Sequence, residues 1–124
     1  MAVICLDTNV LIEIIKNNTA TIELLGELEL PLCISSISVM ELLCGARNKQ
    51  ETSKLNTFSN QFNIITINEN ASLLATKFIA SYAKSHHLDI PDALIAASCI
   101  EYGITLWTYN IKDFRYLPKL QLLN

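Results

Sequence analysis

Three glycines and three prolines in 124 residues leave little material for a flexible linker or a low-complexity tract, and no repeat is visible. A single domain spanning 1–124 is therefore expected. Cysteine is limited to Cys5, Cys33, Cys44 and Cys99, with no C-x-x-C spacing. Each lies in an apolar stretch, so buried free thiols fit better than a disulfide framework or a zinc site. Cations are scarce as well, 9 Lys plus Arg against 12 Asp plus Glu for a net charge of −3. The domain as a whole is no electrostatic magnet for nucleic acid, and a phosphate-bearing substrate would need a metal or a local basic rim. The longest apolar runs, ALIAASCI and AVICL, fall far short of the ~20 residues that cross a bilayer. No basic n-region precedes the first apolar run, so no signal peptide is expected and the default location is cytoplasmic, off the membrane.

What the chain does have is apolar content, 51% of residues. A chain of this length buries roughly 65–70% of its unfolded surface, enough for a core without covalent staples. The surplus points to surface reserved for a partner subunit.

Ala2–Leu6 is continuously apolar and reads as a strand buried on both faces. Helices follow over Asn9–Lys16 and from about Thr21 to Leu28, then a strand over Leu32–Ser35 and a helix over Ser38–Gly45. Gln50–Gln61 is a polar, exposed helix, and Asn63–Ile67 a third strand. Asn68 can cap a longer helix reaching about Ser85. His86–Ile90 is a connector in which Asp89 caps the next helix and the two histidines are solvated. Pro91 suits the first turn of the helix Asp92–Tyr102, which is small or apolar nearly all round and belongs in the interior. Ile104–Thr108 is a fourth strand and Leu120–Leu123 a short fifth. Strands alternating with helices imply a parallel sheet covered on both faces.

Ligands of such sheets bind beyond the carboxyl ends of the strands. Four acids stand at the margins of the apolar segments: Asp7, Glu41, Asp92 and Asp113. Each also has a scaffolding explanation. Asp7 can cap the helix near Asn9, and Ser38-x-x-Glu41 spells a capping box. Asp92 suits a first helical turn, and Asp113 an Asx-turn. Carboxylates gathered near a core repel one another and lose hydration, which is tolerable when a divalent cation neutralises them or protons are retained. Asp7 is the hardest to explain as scaffold, being fused to a buried strand. Thr8 and Asn9 beside it can orient a carboxylate or a metal-bound water.

LDTNVLI at 6–12, SVMELLCGA at 38–46, IPDALIAASC at 90–99 and TLWTYNIKDF at 105–114 together resemble the signature segments of PIN-domain ribonucleases, most closely the VapC-like toxins of type II toxin–antitoxin pairs. The likeness runs through the closing FRYLPKLQLL. It implies an α/β/α sandwich around a parallel sheet of about five strands. It also implies that Asp7, Glu41, Asp92 and Asp113 bind one or two Mg²⁺ or Mn²⁺ ions for hydrolysis of RNA phosphodiesters. Thr108 and Asn110 match the polar positions flanking the last acid. A small antitoxin protein and a homodimer are the partners implied. WTYN departs from the small or basic residues more usual in the last segment.

Arg47, Lys49, Lys112 and Arg115 are basic residues near the Glu41 and Asp113 segments that could meet an RNA backbone, or serve as ordinary solvated charges. Trp107 and Tyr109 flank Thr108, one expected in the core and one at the site mouth. Two rival readings stand beside the nuclease. A receiver-like or phosphatase domain also places acids at strand ends, but it calls for a lysine at a later strand end, which ITLWT lacks. A pure interaction module would use apolar positions such as Leu43, Leu55 and Phe58.

Overall fold

Strand β1 (Ile4–Leu6) is buried at every residue and forms the centre of a parallel sheet. The computed structural model describes residues 3–123, so Ala2, expected to open this strand, lies outside the described residues. β1 pairs on one side with β2 (Leu32–Ser35), placing Cys5 beside Cys33. On the other side it pairs with β4 (Thr105–Trp107), placing Leu6 beside Trp107. β3 (Asn63–Ile65) lies outside β2, giving the order β3-β2-β1-β4. The expected fifth strand is reduced to one parallel bridge, Leu106 to Leu122, held by Leu106 N–H to the Gln121 carbonyl at 2.9 Å and Leu123 N–H to the Leu106 carbonyl at 2.8 Å.

The helices are α1 (Thr8–Ile15), α2 (Thr19–Glu27), α3 (Ser36–Cys44), α4 (Lys49–Ser59), α5 (Glu69–His86) and α6 (Ile90–Tyr102). Alternation along the strands supplies two cores, because successive strand side chains leave opposite faces of a sheet. Cys5, Cys33 and Leu106 join Ala71, Ala75 and Phe78 of α5 and Ala93, Ala96 and Ala97 of α6. Ile4, Leu6, Ile34 and Trp107 join Val10 and Leu11 of α1 and Leu42 of α3, with Leu25, Leu55 and Phe58 packed alongside. The result is the three-layer α/β/α sandwich. α6 is interior, as its composition requires, with Ala93, Ile95, Ala96, Ala97, Ser98 and Cys99 all buried. It stops at Gly103, whose φ of +67° is left-handed and suits a residue without a Cβ.

Three expectations are corrected. α3 starts at Ser36 under a cap from Ser35, whose hydroxyl accepts the Ile37 N–H at 3.1 Å. The proposed Ser38–Glu41 capping box therefore does not form, because both residues lie inside the helix. Cys44, expected to be buried, is exposed on the last turn of α3, whereas Cys5, Cys33 and Cys99 are buried. Leu43, Leu55 and Phe58 are half-buried, the latter two against the second core, and not free surface. Exposed apolar side chains among the described residues include Ile12, Ile15, Ile22 and Leu24 on α1 and α2, and Met40, Leu73 and Ile90 on α3, α5 and α6.

Candidate active site

The chain runs from β3 back across the sheet to β4, so the strand order reverses beside β1. In open parallel sheets the crevice at such a reversal, beyond the carboxyl ends of the strands, is where ligands sit. Asp7 follows β1 at that point. Its N–H continues the ladder to the Trp107 carbonyl at 2.9 Å, and its side chain caps α1 by accepting the Thr8 N–H on Oδ1 at 2.8 Å. Only 4% of Asp7 is exposed.

The second carboxylate oxygen, Oδ2, accepts the Thr108 hydroxyl at 2.7 Å and the Asn9 Nδ2 amide at 3.2 Å. Asn9 also donates to Thr108 Oγ1 at 3.2 Å and accepts the Tyr109 N–H on Oδ1 at 3.1 Å. Thr108 Oγ1 further accepts the Asn110 N–H at 3.0 Å. Thr8, Asn9, Thr108 and Asn110, all expected beside the site, thus surround Asp7 or brace its neighbours. The aromatic pair divides as expected, Trp107 buried and Tyr109 48% exposed. Burial pushes the Asp7 carboxyl above its ordinary value, and the Glu41 and Asp89 charges add to this, while the Thr108 and Thr8 hydrogen bonds oppose it.

Asp92 lies in the first turn of α6. Its carboxyl is pushed up to about 7, first by burial and then by the charges of Asp89, Asp7, Glu41 and Asp113. The other three expected acids, and Asp89, thus all act on the charge of Asp92. Glu41 extends from mid-helix: its Oε1 lies 2.7 Å from the Thr8 hydroxyl, which donates to it and stands 2.8 Å from Ser38 Oγ. Asp113 closes a single 3-10 turn, Ile111–Asp113, with its N–H donated to the Asn110 carbonyl at 2.9 Å.

The basic residues are placed less tightly. Arg47 is tied to Glu51, Nη2 to Oε2 at 2.7 Å and Nε to Oε2 at 2.9 Å, from just ahead of α4 to its first turn. Lys49, Lys112 and Arg115 are exposed. The principal charges felt by Asp7 and Asp92 are all carboxylates.

Asp89 does more than the cap expected of it. It does accept the Asp92 N–H at 2.9 Å, but it also adds a negative charge to the group. The Asp89-x-x-Asp92 spacing could have signalled both duties, since i and i+3 share a helix face. Ser38, read as a cap, instead braces Thr8. Tyr116 carried no sequence signal. Its buried phenolic oxygen has no hydrogen-bond partner among the described residues, and burial together with Asp113, Asp92 and Asp89 raises its pKa. The ring stacks on His86 with centroids 4.0 Å apart.

Every acidic or amide donor in this group offers oxygen, the hard ligand that Mg²⁺ and Mn²⁺ prefer. Among the described residues no three His, Cys, Asp or Glu side chains lie close enough to hold one ion by themselves. Mg²⁺ keeps several waters and takes only one or two protein carboxylates directly.

A family model described as the PIN domain matches residues 4–120. Ribonuclease VapC1 of Methanocaldococcus jannaschii is 32% identical over 120 residues, covering 96% of this chain and 84% of that protein. Among solved structures, VapBC2 from Rickettsia felis bound to a DNA fragment from its promoter is similar with a TM-score of 0.81 and 30% identity, over 98% of each chain. VapBC-1 from nontypeable Haemophilus influenzae is similar with a TM-score of 0.81 and 27% identity, over 98% of this chain and 97% of that one.

Proposed function

The chain belongs to the PIN-domain family, and from that premise we propose that it is a metal-dependent endoribonuclease, the toxin of a type II toxin–antitoxin pair. The observation that carries this reading is the buried Asp7 at the end of β1, together with an Asp92 carboxyl pushed up to about 7 by burial and by the charges of Asp89, Asp7, Glu41 and Asp113. Such mutual repulsion is costly in a purely structural role and is relieved by a cation.

Asp7 and Asp92 are the direct ligands in this proposal. Asp113 and Glu41 would complete the acidic set that holds this ion or a second one. Held by these residues, Mg²⁺ or Mn²⁺ would supply Lewis-acid activation of water and of the phosphoryl group. The chain's own residues prepare for this. Thr108, Asn9 and the Thr8 N–H hold the Asp7 carboxylate in one orientation. Thr8 holds Glu41, and the Asp89 cap fixes the turn that presents Asp92. Lys112 and Arg115, exposed on either side of Asp113, are the basic side chains assigned to the RNA backbone, with the exposed Lys49 a further candidate and Arg47 committed to Glu51.

The exposed Ile12, Ile15, Ile22 and Leu24 offer apolar surface to an antitoxin, and Met40 and Ile90 offer it to a second copy of the chain. No helix among the described residues is long and apolar enough to cross a membrane, and the proposed site of action is the cytoplasm, where RNA is met.

Purified protein incubated with RNA, with Mg²⁺ or Mn²⁺ against a chelator control, tests the proposal. Cleavage is expected only with metal and is lost in Asp7→Asn and Asp92→Asn. Metal-dependent cleavage by a pure, folded Asp7→Asn protein would overturn the assignment.

A further inference from the structure

The acid group is bordered by a cavity of about 440 Å³, lined by Asn9, Glu13, Asn18, Ala20, Thr21 and Tyr109. Asn9 belongs to both, since its amide donates to Asp7 while its side chain helps to wall the cavity. The one aromatic ring in this wall is that of Tyr109, almost half exposed. An exposed tyrosine is ordinary, but this one is pinned at three points. Its N–H is held by Asn9 Oδ1 at 3.1 Å. Its hydroxyl is hydrogen-bonded to the buried Thr21 hydroxyl, across 88 residues of chain. Its ring packs edge-on against the buried Trp107, with centroids 6.2 Å apart. A side chain fixed in this way has already lost the rotamer freedom that ligand binding would otherwise cost.

Single-stranded RNA is gripped by unstacked bases lying on aromatic faces, with carboxylates and amides available to base edges. The cavity holds both kinds of group: the Tyr109 ring, and Glu13, whose carboxylate accepts from Asn18 at 3.1 Å, lies 3.8 Å from the exposed Lys16 ammonium and keeps lone pairs beyond these two contacts. The Asn9 bridge sets the ring one residue's reach from Asp7. Building on the ribonuclease reading, we propose that Tyr109 is a substrate-positioning residue on which one nucleobase next to the scissile phosphate stacks. It sits in the WTYN segment, which distinguishes this chain within the resemblance drawn from its sequence.

The test is equilibrium binding of a short single-stranded RNA carrying 2-aminopurine, with the intact protein in chelator so that nothing is cut. Fluorescence quenching reports stacking on the ring. Tyr109→Phe is expected to keep affinity and quenching within about twofold, because it keeps the ring. Tyr109→Leu is expected to lose at least about fivefold in affinity, the lower end of base–aromatic stacking, together with the quenching. With Mg²⁺, the KM of Tyr109→Leu rises while kcat stays near the wild-type value. Should Tyr109→Leu not fold, photocrosslinking of wild-type protein to RNA carrying 5-iodouridine decides, by mapping to Tyr109 or elsewhere.

Unchanged binding and quenching in Tyr109→Leu, or crosslinks only elsewhere, would overturn the proposal. So would a loss confined to antitoxin affinity, which would give the cavity to the protein partner. A wild type that binds and quenches RNA but cleaves none refutes the nuclease reading alone. One that cleaves RNA with Tyr109 variants unaffected refutes stacking alone, and one that neither binds nor cleaves refutes both.

Discussion

Thr108 donates its hydroxyl proton to Asp7 Oδ2 at 2.7 Å, joining the ends of two neighbouring strands across 101 residues of chain. The contact restrains the orientation of a buried carboxylate and offsets part of its desolvation. Thr108→Val keeps the shape and removes the donor. It also strips the Asn110 N–H of its acceptor. Partners that orient metal ligands typically govern affinity or activity by 10–100-fold, so a loss of about that size is expected. Metal titration by calorimetry and steady-state cleavage would check it, and Thr108→Ser should recover most of the loss.

The Asp92 carboxyl makes stability depend on pH in a defined direction. Its pKa of about 7 when folded exceeds its ordinary value of 3.8, so the folded state binds more protons between these limits. The metal-free protein is therefore most stable below about pH 4 as far as this group is concerned. Stability declines as pH rises, and the penalty is complete above about pH 7. Asp92→Asn should raise the Tm of metal-free protein at pH 8 by several degrees, flatten the slope between pH 4 and 7, and abolish cleavage. Thermal melts across that range would settle it. A wild type whose metal-free Tm rises steadily through this window would contradict the assignment.

Divalent metal should stabilise the protein most where those carboxylates are ionised. A ligand that binds only the folded state raises stability by RT ln(1 + [L]/Kd), and protonation of the ligands weakens that binding. The Tm gain from saturating Mn²⁺ is expected to be larger at pH 8 than at pH 5.5, and to vanish in the Asp7→Asn, Asp92→Asn double variant. An equal gain at both pH values would place the metal elsewhere.

Asp89 separates into two functions by substitution. Asp89→Asn keeps the capping oxygen for the Asp92 N–H but removes a charge, so the Asp92 pKa falls and the acid limb of the cleavage profile moves to lower pH. Asp89→Ala loses the cap as well, at a cost of about 1 kcal/mol in a urea titration. Indistinguishable urea midpoints for the two variants would show that the cap contributes nothing.

Thiol chemistry checks the packing without reference to activity. Cys5, Cys33 and Cys99 are buried and Cys44 is exposed. A disulfide reagent should therefore label one thiol rapidly in the native protein and all four after denaturation. Cys44→Ser should remove the fast phase.

The fold was largely legible because its signals are local. The uninterrupted apolar run of β1, the interior composition of α6 and the Asn68 and Asp89 caps can each be read within a few residues. Boundaries drifted where one hydroxyl competed with another: Ser35, not Ser38, caps α3, which moved the helix start and freed Ser38 and Glu41 for Thr8. Exposure was harder to read than secondary structure. Leu55 and Phe58 sit in a polar helix yet pack on the second core, and Cys44 lies in an apolar segment yet faces outward. Which side of a helix meets the sheet is decided by neighbouring elements that periodicity over a single helix does not specify.

By itself the chain's order of residues determined that strands and helices alternate, that the sheet is parallel and covered on both faces, and that scarce acids stand at element ends. Only the tertiary structure decided that the crossing from β3 to β4 lays Thr108 against Asp7, that Asp89 adds its charge to Asp92, and that Tyr109 is anchored by a threonine on α2. Patterning follows from local sterics and burial along a few residues. Carboxylate repulsion and hydrogen bonding depend on distances between segments a hundred residues apart, which exist only once the chain has closed on itself.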